Sequence, residues 1–308
     1  MALNTSQVRV IDPVLTTVAQ GFTQPDLIGE TILPAVPVDV SGGQILQFGK
    51  EAFMAYNLRR APGGTTKRIE FGYLGQHYAL LEDALEVKVP REWLRDASIV
   101  PGIDLGSRAV RLGLAVVKKS LESDIASLVL NPANYGPNNQ IVLAGAAKWS
   151  NPAATPYQQI LQYREAIRAS VGIYPTLGVF SPQAWVALIS NPSIITRFQF
   201  TSHDAITEDM IARLFQLDKV VVGKAVSSDD QGNFSDVWGN NCLLSYSPPD
   251  PTGPEQPSLG YTYTMRGNPL VEPPYYDNNA KSWIYPTGYE RAPVIAAPGA
   301  AFLIQQPN

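Results

Sequence analysis

The most regular pattern of hydrophobic and polar residues in the chain lies between residues 104 and 130. Apolar side chains recur there at steps of three and four residues, so they form one continuous stripe along a helix. The stripe consists of Val110, Leu114, Val117, Leu121, Ile125 and Leu128. Asp104 predicts the N-cap and Asn131-Pro132 the end of a helix that is about 40 Å long. Because Gly106 and Gly113 each cost about 1 kcal/mol relative to alanine, we expect another backbone to approach this helix closely.

Alternation of apolar and polar residues predicts β-strands between residues 41 and 90. Leu85, Val87 and Val89, for example, alternate with charged residues, which is the pattern of a strand with one buried face. The Pro62-Gly63-Gly64 sequence predicts a turn in the middle of a long two-stranded excursion. This excursion has too few large apolar residues near its turn to build a core of its own, so we expect it to lie against another surface.

Short helices and strands alternate between residues 155 and 246, which predicts a compact α+β domain. Three pairs of residues have the composition of helix starts, and apolar runs after or between them predict strands. The helix starts are Thr155-Pro156, Ser181-Pro182 and Thr207-Glu208, and the strands cover residues 177–180, 220–222 and 237–246. A hairpin around residues 277–279 and a last strand over residues 300–304 complete the prediction.

Proline marks the segments between these elements. Pro13, Pro25, Pro34 and Pro37 are spaced through the first 40 residues, which predicts an extended arm because each proline removes a backbone donor. The 308-residue chain contains 26 prolines, and only 16% of its residues are charged, against roughly 25% in typical soluble domains. A chain of ordinary hydrophobic content therefore has little charge with which to cover its surface.

The net charge of −4 gives no reason to expect a nucleic acid or an anionic membrane as a tight partner. One cysteine and two histidines exclude a disulfide framework and a zinc site built only of cysteine and histidine within one chain. The N-terminal sequence has no signal-peptide pattern, and no uncharged apolar run is long enough to span a bilayer. We therefore expect synthesis in the cytoplasm.

Few residues are candidates for catalysis. The run from Gly43 to Glu51 has the wrong spacing for a phosphate-binding loop, and Glu51 stands where a Mg²⁺-binding hydroxyl is needed. His203 is next to Asp204, but adjacent side chains rarely face each other, and no activated serine is evident. His77 on a strand is expected at a polar surface, and Cys242 in an apolar strand is expected to be buried and inert. The sequence thus predicts no catalytic residue, no cofactor and no metal.

Basic residues lie on both sides of the Pro-Gly-Gly turn, and acidic residues follow further along the chain. The basic set is Arg59, Arg60, Lys67 and Arg68, and the acidic set is Glu82, Asp83, Glu92 and Asp96. Two interpretations remain open for the basic set. It is either a solvated loop tip or a tip that pairs with carboxylates of a neighbouring molecule, such as the acidic set, because arginine favours bidentate ion pairs at interfaces.

Three segments resemble a known family. They are Leu177-Gly178-Val179-Phe180-Ser181-Pro182-Gln183-Ala184-Trp185, the sequence from Ile211 through Leu214-Phe215 to Val222-Gly223-Lys224-Ala225-Val226, and Asp236-Val237-Trp238-Gly239; Asn191-Pro192 and Arg197-Phe198 lie between the first two. Together with the order of the predicted elements, they are similar to those of tailed-bacteriophage major capsid proteins of the Hong Kong 97 type. The resemblance covers most of the chain, and its motifs are structural rather than catalytic.

The resemblance implies an α+β capsid fold divided into five segments. These are an extended N-terminal arm (1–40), a long β-hairpin E-loop (41–90), a peripheral domain with a spine helix at 104–130 (91–151), a compact axial domain (152–260), and β segments that return to the peripheral domain (261–308). It also implies a structural protein, not an enzyme, that self-assembles into hexamers and pentamers of an icosahedral shell around double-stranded DNA, without sequence-specific binding.

The same resemblance implies a virion location after assembly in the cytoplasm of a bacterial host. A separate scaffolding protein and a portal protein would be partners, with a decoration protein as an optional one, and no membrane would be involved. Three alternatives stay open on the sequence alone. They are an encapsulin-like cellular nanocompartment shell, an α/β hydrolase or transferase whose nucleophile is not evident, and a monomeric binding module.

Overall fold

The computed structural model describes residues 27–44, 59, 77–97, 104–198, 205–248 and 258–308. The first 26 residues of the predicted arm and most of the predicted excursion lie outside these ranges. The helices are α1 (Gly29–Ile32), α2 (Arg91–Ala97), α3 (Leu105–Val129), α4 (Pro156–Val171), α5 (Pro182–Ile189), α6 (Pro192–Phe198) and α7 (Glu208–Phe215). Short 3-10 helices cover Pro132–Asn134, Pro137–Asn139, Gly145–Ala147 and Pro298–Ala300.

The described strands form two large sheets and two small two-stranded sheets. They are β1 (Ala35–Val38), β2 (Gly42–Gln44), β3 (His77–Ala79), β4 (Leu81–Pro90), β5 (Gln140–Val142), β6 (Leu177–Phe180), β7 (Lys219–Val222), β8 (Val226–Ser228), β9 (Phe234–Asp236), β10 (Asn241–Ser245), β11 (Gly260–Met265), β12 (Leu270–Val271), β13 (Tyr275–Asp277), β14 (Ser282–Ile295) and β15 (Ala301–Gln305). The small pairs are β2 with β3 and β8 with β9, both antiparallel.

The predicted long helix is confirmed as α3. One carboxylate oxygen of Asp104 accepts hydrogen bonds from the backbone N–H groups of Gly106 (3.0 Å) and Ser107 (3.3 Å), so Asp104 is the N-cap. The helix ends at Val129, and its C-cap Leu130 is followed by Asn131, whose side chain caps the next 3-10 turn. Its buried residues include every member of the predicted apolar stripe except Leu128, which is half-buried.

The long strand β14 is the centre of a six-stranded sheet. One side of β14 pairs with β4 along ten residues, and the other side pairs with β11, β12 and β13 in succession. The N-terminal half of α3 packs on one face of this sheet. Val110 and Leu114 of the helix share a small core there with Val89 of β4 and Tyr285 of β14.

The second sheet has five strands in the order β5-β15-β10-β6-β7. Helices α4, α5 and α7 supply Ile160, Leu188 and Phe215 to a core that also contains strand residues of this sheet. The C-terminal half of α3 packs in another core, which includes Leu121 and Leu243. The single helix α3 therefore contributes to the cores of both sheets.

The segment division differs from the observed sheets at two places. Strand β15 was expected with the β segments that return to the peripheral domain, yet it lies inside the five-stranded sheet between β10 and β5. Strand β5, within the predicted peripheral segment, belongs to the same sheet. The reason is that Phe302, Leu303 and Ile304 are consecutive apolar residues buried on both faces, which suits only an interior strand.

Both glycines of α3 lie where the sheet approaches the helix, but side chains rather than backbone make the approach. A Cβ atom on Gly113 would lie 2.8 Å from Oγ1 of Thr287, and one on Gly106 would lie 3.2 Å from the ring of Tyr285. The expectation of a close backbone is therefore wrong in detail. Side chains of β14 fill the space because the helix lies across the sheet face rather than beside another helix.

No helix within the described ranges is long and apolar enough to cross a membrane.

The contact at Gly113 predicts the effect of a Gly113→Ala substitution. Thr287 is buried and its hydroxyl donates to the carbonyl oxygen of Leu85 (3.0 Å), so it cannot turn away without losing that bond. We expect overpacking to lower the free energy of unfolding by about 1–3 kcal/mol, which outweighs the better helix propensity of alanine, about 1 kcal/mol. Denaturant unfolding would measure the change. In a Thr287→Ala background, Gly113→Ala should lower the free energy of unfolding by less. An equal loss in both backgrounds would show that Thr287 is not the cause of the overpacking.

Candidate functional site

The residues considered for catalysis do not form a site in the described parts of the chain. Cys242 is completely buried within β10, and burial raises the pKa of its thiol well above the usual value, which keeps it neutral. His77 is exposed on β3, and Gly43 pairs with Tyr78 in the small sheet. His203 lies outside the described residues. Within the described ranges there is no group of three or more His, Cys, Asp or Glu side chains that could hold a metal ion.

The structure places part of the predicted inter-subunit set. Of the basic residues, Arg59 is exposed, and Arg60, Lys67 and Arg68 lie outside the described residues. The acidic residues Glu82 and Asp83 lie on β4, and Glu92 and Asp96 lie on α2. Glu92 pairs with Arg91 and Asp96 with Arg95, each at 3.0 Å, and Asp83 pairs with Arg291. The role of these eight residues between subunits stays a prediction.

A buried carboxylate on α3 joins three distant segments of the chain. Glu122 is only 2% exposed. Its Oε2 accepts a hydrogen bond from the backbone N–H of Gly29 (2.6 Å), and its Oε1 accepts from the backbone N–H of Ile28 (3.1 Å) and from the indole N–H of Trp238 (2.8 Å). The carboxylate thus connects α3 to the segment before β1 and to the loop before β10. We call this arrangement the Glu122 junction.

The junction satisfies groups that α1 cannot satisfy itself. Ile28 is the N-cap of α1 and Gly29 its first residue, and the first N–H groups of a helix have no partner within it. A negative carboxylate also suits the positive end of the peptide dipoles. Burial is the largest influence on the Glu122 carboxyl group and raises its pKa, while the three N–H donors act in the opposite direction. In the ionised form both oxygens act as acceptors, Oε1 from two donors and Oε2 from one.

Two glycines allow the partners to reach Glu122. A Cβ atom on Gly29 would lie 2.7 Å from Oε2 of Glu122, so a side chain there would push the carboxylate away. A Cβ atom on Gly223 would overlap with the indole ring of Trp238, which is itself fully buried. The Trp238 ring is therefore fixed between β7's end and the carboxylate, and it has little freedom to move.

A second buried charge, that of Arg291, contacts α3 near Glu122. Arg291 of β14 is 3% exposed; its guanidinium donates to the carbonyl oxygen of Val117 (2.7 Å) and pairs with Asp83, and it approaches Asp124 (3.5 Å). Burial lowers the pKa of Arg291, while the two carboxylates raise it. Because the carboxylates are partly exposed, water shares in their solvation. Arg291 therefore joins β14, β4 and α3 in one cluster.

Sequence reasoning did not find either charge. Glu122 follows Leu121 and flanks the apolar stripe, and the sequence pattern does not distinguish a buried glutamate from an exposed one at that place. Arg291 continues the row of Tyr285, Thr287 and Tyr289 that faces α3, and an arginine in such a buried row is a usable signal. Both groups act by holding segments in place, and neither arrangement contains a nucleophile with a base.

The junction predicts a clear cost for the Glu122→Gln substitution. An amide has one acceptor oxygen, so its NH₂ group would face at least one N–H donor that is now buried without a partner. We expect the free energy of unfolding to fall by about 1–3 kcal/mol in denaturant unfolding. The control is Glu165→Gln, which removes the charge of an exposed glutamate on α4 that pairs with Arg168. It should change stability by less than about 1 kcal/mol. Equal effects of the two variants would contradict the role of Glu122.

Comparison with known proteins gives a consistent result. A family profile described as phage major capsid protein E matches residues 134–250. The major capsid protein of Burkholderia phage BcepMu is 31% identical over 271 residues, which is 87% of this chain and 87% of that protein. The match therefore extends over most of both chains.

Solved structures agree. A phage-related protein from Bordetella bronchiseptica RB50 is 44% identical, with a TM-score of 0.85 and 98% of each chain covered. The SrpI encapsulin of Synechococcus elongatus is 14% identical with a TM-score of 0.55, over 99% of this chain and 96% of that one. At that identity the encapsulin shares the fold alone, so it does not outweigh the capsid relatives. The chain belongs to the tailed-phage major capsid proteins and is a structural protein of the virion capsid, with the α+β Hong Kong 97-type fold and assembly into an oligomeric shell.

Proposed function

We propose that copies of this chain form the hexamers and pentamers of an icosahedral shell that encloses double-stranded DNA. The observation that carries the proposal is the similarity to a major capsid protein over 87% of both chains. The surface supports it, because several large apolar side chains are exposed. Examples are Leu81 of β4 and Phe234 of β9, which are 72% and 74% exposed. Contacts with neighbouring copies would remove such side chains from water.

Within this proposal each segment of the chain has a part in the shell. The arm (1–40) would cross neighbouring subunits, and the E-loop (41–90) would lie over an adjacent one. The six-stranded sheet with α3 would form the peripheral domain (91–151 and the returning strands of 261–308), and the five-stranded sheet would form the axial domain (152–260) together with β5 and β15. The Glu122 junction would anchor the end of the arm to its own subunit, since it ties residues 28 and 29 to α3.

The basic set would pair with acidic residues of a neighbour. Arg59, within the proposed E-loop, is exposed, and Glu82, Glu92 and Asp96 are exposed on β4 and α2. Asp83, Glu92 and Asp96 already pair with arginines of their own subunit, so an arginine of a neighbour would compete with these pairs.

The DNA, the other head proteins and the setting belong to the same proposal. A chain with a net charge of −4 gives the shell no basic wall that would hold the DNA by counterion release, so the DNA would be enclosed without sequence-specific binding. A separate scaffolding protein, a portal protein and an optional decoration protein would act with the shell, and assembly would take place in the cytoplasm of a bacterial host. The contribution of the chain is structural, without a catalytic step.

Electron microscopy of the expressed chain tests the proposal. The chain would be produced with and without the scaffolding protein of its phage, and the particles would also be sized by sedimentation. We expect capsomers or closed shells, and we expect fewer of them from a variant with Arg59→Glu and Arg60→Glu, because like charges would then face each other. Persistent 33.5 kDa monomers under every condition would contradict shell assembly. Particles that carry protein cargo and no nucleic acid would favour a nanocompartment instead.

A further inference from the structure

An exposed aromatic surface lies at the end of the six-stranded sheet, beyond the start of α3. Trp93 of α2 is 64% exposed and Trp283 of β14 is 38% exposed. Tyr276 of β13 pairs with Trp283, and Arg91 begins α2 two residues before Trp93. We call these four residues the aromatic tip.

Backbone pairing holds the aromatic tip together. Trp283 is directly opposite Val89 of β4 on one side and Tyr276 on the other, and the rings of Trp283 and Tyr276 meet edge to face at 5.6 Å. The backbone N–H of Arg91 donates to the carbonyl oxygen of Lys281 (3.2 Å), and the Arg91 side chain hydrogen-bonds to Tyr276. The turn before β14 and the start of α2 therefore form one ordered surface.

Trp93 and Trp283 are more exposed than the other three tryptophans of the chain. Trp149 and Trp238 are fully buried, and Trp185 is partly buried against the core of the five-stranded sheet. Next to Trp93, Leu94 does pack inward against the core beneath α3. The fold therefore buries one side of α2 and leaves its tryptophan in water, together with a second tryptophan from β14.

The charges around the aromatic tip are balanced. Charged residues of both signs lie next to the four residues in sequence or in strand register. They are Arg91 itself, Lys88, Arg95 and Lys281 on one side, and Glu86, Glu92, Asp96 and Asp277 on the other. A surface with balanced charges does not repel a second copy of itself. Nucleic acid or an anionic membrane would instead need a surface with an excess of positive charge. Tryptophan, tyrosine and arginine are also the residues enriched where protein interfaces bind most strongly.

We propose that the aromatic tip is a contact between neighbouring copies of this chain, with Trp93 and Trp283 buried by the second copy. This proposal rests on the shell assembly proposed above, and it identifies one surface through which subunits would contact each other in the shell. A second copy is the occupant that the charge balance favours, and in a shell of one repeated chain such a copy is always adjacent.

Iodide quenching of tryptophan fluorescence tests this proposal on the full-length chain, compared between unassembled subunits and purified shells. Iodide should quench the subunits strongly, and quenching should fall in the shells, because assembly would cover Trp93 and Trp283. A double variant with Trp93→Phe and Trp283→Phe should lose most of this difference. The matched control is Trp185→Phe, which removes a tryptophan outside the aromatic tip and should retain the difference.

Assembly yield gives a second measurement. A variant with Trp93→Ala and Trp283→Ala should form at least tenfold fewer shells than the wild type, while its circular dichroism stays that of the folded subunit. Wild-type shells in which both tryptophans remain as quenchable as in free subunits would overturn the proposal and leave the shell function intact. Full assembly of the double alanine variant would do the same. Failure of the wild type to form any shell would overturn the shell function, and this contact with it.

Discussion

The structure depends on a buried carboxylate that must have its hydrogen bonds satisfied. Glu122 lies out of water on the inner side of α3, and an ionised group in such a place is tolerated only with several donors around it. Its donors come from Ile28, Gly29 and Trp238, which lie in two other parts of the chain. The requirement of one side chain therefore fixes where the segment before β1 runs and how the loop before β10 meets the long helix.

The long helix makes this arrangement possible because it belongs to both cores. Its N-terminal half packs on the six-stranded sheet and its C-terminal half packs against the five-stranded sheet, so the two units share one rigid element. Arg291 strengthens the first contact by joining β14, β4 and the carbonyl of Val117. The positions of the two sheets relative to each other are therefore set within the subunit by α3.

Much of this fold was predictable where the signal is local. The stripe and cap of α3, the alternation in β4 and the Ser181-Pro182 start of α5 all rest on residues close together in sequence, and the structure confirms them. What could not be predicted depends on distant partners. Glu122 accepts from donors 94 and 116 residues away, and β15 joins its sheet through pairing that no local pattern specifies. The proposed inter-subunit residues need a second chain, so one sequence and one subunit do not decide them.

Amide hydrogen exchange of the folded subunit tests the role of Glu122 most directly. If the carboxylate holds the segment before β1 on α3, the amide of Gly29 exchanges slowly in the wild type. Its exchange should become about tenfold faster or more in Glu122→Gln, because opening that segment then breaks weaker hydrogen bonds. Amides in the middle of α3, such as that of Leu114, should exchange as before. An unchanged exchange rate at Gly29 would contradict the account, since the segment would then be held by packing alone.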